Sequence, residues 1–251
     1  MTAIIPALMQ LGFLAAVLGA LQWCFPNRPE QPVLREQWHT DLLFFFGQHL
    51  IWLGLQLTAL IALGGLVDGV LPAGVHAGFQ AQPFAAQAAE LVLAGDLLVY
   101  WYHRLSHAVP LLWSFHRVHH SAPHLDWLAA HREHPIDGML TQIAMNLPAM
   151  LLGVGLAGIA GLIVFRGLWA AFIHSNVRLP IGPLRMLIGA PELHHFHHKS
   201  TERTAHNFAN LAPWTDLVFG TYHCPPHPQF TVGLPERPRR SYLGWLLRPH
   251  R

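Results

Sequence analysis

Residues 96–121 of the chain read DLLVYWYHRLSHAVPLLWSFHRVHHS, an apolar stretch that carries five histidines at helical spacing. His103 and His107 are four residues apart, so both side chains lie on the same face of a helix and can reach one ion. Three more histidines follow at positions i, i+3 and i+4, namely His116, His119 and His120. That spacing places them on one side of a helical turn.

A third histidine cluster repeats the pattern near the C-terminal end. This cluster lies in the sequence LHHFHHK at 193–199. The histidines at positions i, i+3 and i+4 are His194, His197 and His198. Neutral imidazole is the commonest metal ligand in proteins, and eight such groups exceed the four that a tetrahedral zinc needs. The three clusters therefore predict two metal ions. An all-nitrogen ligand set suits iron, zinc or copper, and spacing does not choose among them.

Long apolar regions occur at 3–25, 42–67, 84–102 and 139–174. The first region is long enough as a helix, at ~1.5 Å per residue, to cross a ~30 Å hydrocarbon core. It lacks the basic start of a signal peptide, so we expect it to be retained as a membrane span. The last suits a helical hairpin. A large soluble helical core is the alternative, but several runs of spanning length disfavour it. We predict an all-α integral membrane bundle of about four or five membrane helices, with a cytoplasmic helical cap that carries the histidines.

Composition excludes several classes of protein. The chain is 52% hydrophobic and 11% charged, with a net charge of +2, which excludes a disordered chain and a nucleic-acid-binding surface. The two cysteines, Cys24 and Cys224, lie in unrelated contexts, so neither a disulfide framework nor thiol chemistry is expected.

The basic residues predict the orientation in the membrane. Every Lys and Arg except Arg166 lies in 26–41, 103–137 or 175–251, and the loop at 68–83 has none. Positively charged segments tend to face the cytoplasm, so the histidine clusters are expected on that side. For Arg166, snorkelling to the membrane edge is the commoner behaviour and burial with a partner the alternative. The bias towards Ala, Leu and Gly favours a bacterial inner membrane.

The chain is expected to form one domain, 1–251. Membrane helices occupy 1–95, the histidine clusters 96–222 and a tail 223–251.

The motifs together resemble a known family. DLLVYWYHRLSHAVPLLWSFHRVHHS, HREHPIDG, FIHSN, PELHHFHHKS and DLVFGTY, between residues 96 and 222, are similar to the fatty acid hydroxylase and sterol desaturase superfamily. All eight histidines of that family's three motifs are present in order. The HPIDG run at 134–138 is locally most similar to C5-sterol desaturases. The chain departs from the family's usual sequence at two places. Residues 207–209 are Asn-Phe-Ala where many relatives have Asn-Tyr-Gly, and Asp126 stands where Asn is frequent.

The resemblance implies a membrane-bound non-haem di-iron oxygenase. Such an enzyme uses O2 and external electrons to hydroxylate or desaturate a sterol-like or fatty acyl lipid, and zinc can replace its two irons during purification. No electron-carrier motif accompanies the histidines, so we expect a separate donor, ferredoxin-like or cytochrome b5-like, with its reductase.

The resemblance also implies further site residues. His134 and His174 match positions where the family tends to carry a histidine, and we expect both as additional ligands. Asp96 lies two helical turns before His103 and can orient that ring, or else make a hydrogen bond between helices. Supporting positions beside the ligands, or surface positions, are expected for His131 and His195. A similar supporting role is expected for Asp216.

Two other functions stay open on the residues alone. One is a membrane protein that binds or transports metal without oxygen chemistry, although transporters place polar groups near the bilayer midplane. The other is a zinc hydrolase, which needs about three protein ligands per metal and an activated water, fewer than this chain offers.

Overall fold

The structure is a computed structural model that describes residues 3–201, 203–224, 230–236 and 238–250. Within these ranges the regular structure is helical, apart from two isolated β-bridges. The expected all-α class is confirmed. The α-helices are α1 (Ile4–Cys24), α2 (Trp38–Gly47), α3 (Leu53–Val67), α4 (Ala73–Gln80), α5 (Phe84–Ala108), α6 (Pro110–His116), α7 (Pro135–Leu151), α8 (Leu156–His174), α9 (Arg185–Ile188), α10 (Pro191–His197), α11 (Trp214–Val218) and α12 (Tyr242–Leu247).

Four helical stretches in the described residues are long and apolar enough to cross a membrane: α1, the continuous helix formed by α2 and α3, α5 and α8. The π-helical turn Gln48–Trp52 joins α2 to α3 without a break. Many large apolar side chains on these helices have no protein partner, and Met9 and Leu66 are 70% and 78% exposed. Contiguous exposure of this kind is typical of a lipid-facing surface. The predicted integral membrane bundle is confirmed.

α7 and α8 form the expected helical hairpin. Gly153 lies in the connecting turn at φ +69°, a left-handed conformation that glycine adopts without a Cβ penalty. The hairpin packs against α3 and α5, and its apolar cluster includes Leu60, Leu91 and Ala149. α4 covers the turn, where the ring Nε2 of His76 donates to the carbonyl of Leu151 at 2.8 Å. This end of the bundle is the end without basic residues.

The opposite end of the bundle holds the cap. The backbone N–H of Asn27, just after α1, donates to the carbonyl of Asn176, just after α8, at 3.1 Å. The N–H of Arg178 donates back to the carbonyl of Phe25 at 2.9 Å. The C-terminal ends of α1 and α8 are therefore fixed beside each other. The short helices α6 and α10 each begin with a proline, which suits the first helical turn because its missing N–H has no helical partner there.

Four buried charges join the cap to the membrane helices. Arg35 pairs with Asp41 at 2.6 Å and with Asp126 at 2.5 Å. Arg132 also pairs with Asp41. Asp126 in addition accepts hydrogen bonds from the backbone N–H groups of Leu128 and Ala129. The acid found at 126 is therefore required here as the counter-charge of Arg35.

Arg166 does not snorkel, which corrects the commoner expectation. It lies within α8 and is only 1% exposed. Its guanidinium donates to the carbonyl of Val92 on α5 at 2.6 Å and lies 3.8 Å from the carboxylate of Asp96. The physical reason is that this face of α8 is turned towards α5, where an acid compensates the charge.

Candidate metal centre

Helix ends deliver the histidines to one place in the cap. His103 and His107 lie in the last turns of α5, and His116 ends α6 after the turn at Val109. The chain then tightens into the 3-10 turn His119–Ser121, which carries the next two histidines. α8 ends at His174 and α10 supplies the third cluster.

The imidazoles form two groups, each with ligand nitrogens within 4.8 Å of one another. Group A consists of His103, His107, His116, His120 and His197. Group B consists of His119, His174, His194 and His198. All eight histidines of the three motifs and the additional His174 are thus brought together as predicted.

The second and third motifs are each divided between the two groups. In α10, residues 194 and 198 are separated by about 40° around the helix axis, whereas 197 lies about 60° to the other side of 194. His194 and His198 therefore reach group B while His197 reaches group A. The groups are neighbours, since the rings of His120 and His198 stack with centroids 4.3 Å apart. Each of the two adjacent groups could hold one metal ion.

The hydrogen bonds show that lone pairs face each other inside group B. Nδ1 of His119 donates to the carbonyl of Arg132 at 3.1 Å, and Nδ1 of His174 donates to that of Ala170 at 2.7 Å. In a neutral ring the Nε2 atoms then carry lone pairs, and these two atoms are 3.0 Å apart. Two acceptors at this distance repel unless they share a cation. Nε2 of His194 lies 2.9 Å from that of His174 and continues the cluster.

Group A also brings ring nitrogens close together. Nδ1 of His197 donates to the carbonyl of His206 at 2.8 Å, and its Nε2 lies 3.2 Å from Nε2 of His120. The buried Nε2 atoms of His103, His107 and His116 have no hydrogen-bond partner among the described residues. Buried polar atoms are nearly always satisfied, so convergent unpaired nitrogens fit a metal ion in each group.

Burial keeps these imidazoles in the form that binds metal. It lowers the pKa of His119 to about 4, with the nearby His116 lowering it further. Burial also holds the pKa of other ligands well below the ordinary value, for His120, His194, His197 and His198. The rings are therefore neutral at pH 7 and offer lone pairs to a cation.

His134, which is expected as an additional ligand, lies outside both groups in the structure. It is the N-cap of α7: its Nδ1 accepts from the backbone N–H of Ile136 at 3.2 Å, and its Nε2 donates to the carbonyl of Leu246 at 3.2 Å. Both ring nitrogens are thus engaged away from the cluster. The His134 side chain satisfies a free backbone N–H at the start of α7, and Pro135 occupies the first turn of this helix.

Asp96 is also placed differently from the expected orienting role at His103. Its carboxylate accepts from the backbone N–H of Leu211 at 3.2 Å and from the indole of Trp214 at 2.8 Å. This is the alternative hydrogen bond between segments. His103 instead donates from Nδ1 to the carbonyl of Phe208 at 2.8 Å.

Asp216 lies where it can support the site. It accepts from the backbone N–H groups of Phe208 and Ala209 at 2.8 and 3.0 Å, which fixes the loop that holds His103. His195 lies against the site from outside, with Nε2 donating to the carbonyl of His174 at 3.0 Å. His131 packs against the rings of Phe45 and His49, outside both groups.

Asp137 lies in the HPIDG motif, and its part in the site is visible only in the structure. Its buried carboxylate accepts from Nδ1 of His116 at 2.9 Å and from the hydroxyl of Tyr102 at 2.5 Å. Burial by itself raises the pKa of Asp137, but His116 and these hydrogen bonds leave it below its usual value. An acid three residues after a histidine that begins a helix was the available signal.

Comparison with known proteins agrees with this geometry. The fatty acid hydroxylase family profile matches residues 88–221, which include every histidine of both groups. The chain belongs to the fatty acid hydroxylase family.

Relatives within and around this family act on several lipids. Ornithine lipid hydroxylase OlsE of Rhizobium tropici is 32% identical over 174 residues, which are 66% of this chain and 51% of that protein. Alkylglycerol monooxygenase of Homo sapiens is 28% identical, over 52% of this chain and 29% of that protein. Putative Delta(7)-sterol-C5(6)-desaturase 2 of Arabidopsis thaliana is 29% identical, over 52% and 46%. The chain thus spans about half or less of these proteins, and no solved structure matches it significantly.

Proposed function

We propose that this protein is a membrane-bound non-haem di-iron oxygenase that hydroxylates or desaturates a lipid. The observation that carries the proposal is the pair of adjacent groups of convergent imidazoles at the ends of membrane helices. The comparisons add that relatives similar to this chain are named as a lipid hydroxylase, a monooxygenase and a desaturase.

Group A and group B would each hold one iron. Iron supplies the activation of O2 that attack on an unactivated C–H bond requires. The chain orients the ligands through the backbone carbonyls that fix their Nδ1–H groups, as at His119 and His197. It also excludes water, because His197 and His198 are at most 1% exposed. Exclusion of water protects a reactive oxidant from side reactions.

The substrate is proposed to be a lipid that reaches the site from the bilayer. The named relatives act on molecules with different polar parts, an ornithine lipid, an alkylglycerol and a sterol. Their shared property is a large apolar body. α5 and α8 span the apolar layer and carry His107 and His174 in their last turns, so a lipid embedded beside them has its path to the cap along these helices.

Hydroxylation of a C–H bond by O2 consumes two electrons and two protons and releases one water. Desaturation consumes the same two electrons and two protons and releases two waters, because two hydrogen atoms of the lipid also leave as water. A separate electron carrier, ferredoxin-like or cytochrome b5-like with its reductase, is proposed to supply the electrons. The distribution of Lys and Arg supports a site that faces the cytoplasm, where this carrier would dock. The membrane is proposed to be a bacterial inner membrane.

The test is metal content together with lipid turnover. The purified protein loaded anaerobically with Fe2+ should hold two irons per chain, one for each group. His119→Ala removes one ligand of group B and His197→Ala one ligand of group A, and each should lower the iron content and abolish turnover. His76→Ala is the matched control, because His76 contacts Leu151 at the opposite end of the bundle.

Turnover is measured with a bacterial lipid extract, ferredoxin, ferredoxin reductase and NADPH. O2 uptake should accompany a lipid product that gains one oxygen atom or loses two hydrogen atoms. Full activity of either variant would refute the assignment of the two groups as the metal site. Metal binding without any O2-dependent change in lipid would refute the oxygenase proposal and favour a protein that binds or transports metal. Lipid cleavage with zinc bound would instead indicate a hydrolase.

A further inference from the structure

The imidazoles of the two groups are not supported alike. Four of them donate an Nδ1–H to a backbone carbonyl, namely those of His103, His119, His174 and His197. His116 instead donates to a carboxylate, that of Asp137, at 2.9 Å. Both side chains are buried, His116 at 8% and Asp137 at 1% exposure.

The position of Asp137 is fixed on every side. It lies in the first turn of α7, whose N-cap is His134. Its second oxygen accepts the hydroxyl of Tyr102 on α5 at 2.5 Å, so the carboxylate cannot rotate away from His116 without losing that bond. Tyr102 also directly precedes the ligand His103, which ties the carboxylate to the α5 part of group A.

We propose that Asp137 is a positioning residue that makes group A bind its metal more tightly than group B. A carboxylate that accepts the Nδ1–H of a ligating imidazole fixes the tautomer, orients the ring and increases the basicity of the other nitrogen, more than a neutral carbonyl does. Nε2 of His116 is the nitrogen left to face group A. Among the hydrogen bonds of the described residues, group B has no equivalent carboxylate.

This inference rests on the metal-binding part of the proposed function. The experiment titrates metal-free full-length protein in detergent with 57Fe2+ under anaerobic conditions and counts iron by mass spectrometry. Mössbauer spectra at one and at two equivalents report which environment fills first. Neither readout depends on activity or on the lipid.

In wild-type protein one environment should fill before the other. Asp137→Asn keeps the shape and an acceptor oxygen but removes the charge, and it should weaken the first-filled iron about 10–100-fold while leaving the second unchanged. Tyr102→Phe, which leaves the carboxylate in place, should weaken the same iron by a smaller factor. Asp96→Asn is the matched control: Asp96 is equally buried, but its partners Leu211, Trp214 and Arg166 lie outside both groups. In the folded fraction of this variant, checked by circular dichroism, both irons should bind as in the wild type.

Three results would overturn the inference: unchanged affinities in Asp137→Asn, equal loss of both irons in that variant, or the same loss in Asp96→Asn. A folded wild-type protein that binds no iron, checked by its circular dichroism, would refute the proposed function itself. That outcome is visible before any variant is compared, so the two failures are distinguishable.

Discussion

Asp41→Asn tests whether the buried charges hold the cap on the membrane helices. Asp41 is fully buried and pairs with both Arg35 and Arg132. With Asp126, the cluster has two positive and two negative charges. The substitution keeps the side-chain volume but leaves two guanidinium groups facing the single carboxylate of Asp126.

The expected loss follows from this arrangement. Removing one partner of a buried ion pair costs about 3–5 kcal/mol, because the charge left behind is not compensated. After the substitution Arg132 keeps neutral acceptors, Gln37 at 2.9 Å and Ser121 at 3.3 Å, which favours the lower part of that range. For a chain of this size each kcal/mol lowers Tm by about 2–4 °C, so we expect a decrease of about 6–12 °C.

The assay is thermal unfolding in detergent, followed by circular dichroism. Glu36→Gln is the control, because its pair with Arg239 is 3.1 Å long but exposed at the surface, where a pair contributes only about 0–1 kcal/mol. A double variant, Asp41→Asn with Arg132→Gln, restores neutrality and should lose less than the two single variants together. A decrease below about 2 °C in Asp41→Asn, or strict additivity in the double variant, would refute the reasoning.

Two further predictions concern backbone strain and pH. Gly153→Ala should lower Tm by about 2–8 °C, because a side chain at φ +69° costs about 1–2 kcal/mol, although no atom would lie closer than 3.9 Å to the added Cβ. Gly161→Ala is the control and should not lower Tm, because Gly161 lies at an unstrained position of α8 with open space around it. Equal effects of the two substitutions would contradict the strain argument. Burial lowers the pKa of His131 to about 3, with His49 adding to the effect, so below pH 6.5 the unfolded chain binds a proton that the folded one does not. Stability therefore falls as the pH decreases, and His131→Gln should reduce the slope of unfolding free energy against pH between pH 6 and 5 by about 1.4 kcal/mol per unit. An unchanged slope in chemical unfolding experiments would show that His131 is protonated in the folded protein.

The metal site shows how far spacing alone can predict. Histidines at i, i+3 and i+4 on short helices have to project to one side, so nine of the ten predicted ligands come together in the structure. His134 is the exception, since a His-Pro pair has the same sequence whether the histidine binds metal or caps a helix. Its engagement with Leu246, 112 residues away, is a property of the tertiary structure.

Buried acids were the weakest part of the sequence prediction. Asp96 and Asp137 both lie near histidines in the sequence, but only Asp137 contacts a ligand. A helix turns about 100° per residue, and which face meets which neighbour depends on how α5, α7 and α8 pack. The same packing decides that Arg166 finds Asp96 instead of the membrane edge.

The sequence by itself determined the class of this protein: apolar runs long enough to span a bilayer produce membrane helices, and imidazoles at helical spacing produce groups that could hold metal at the ends of these helices. Both follow from local periodicity, which needs no knowledge of distant contacts. The tertiary structure alone decided that the second and third motifs divide between two groups, and that a carboxylate supports His116. These depend on the meeting of segments far apart in the chain, whose relative rotation is set by packing and not by spacing.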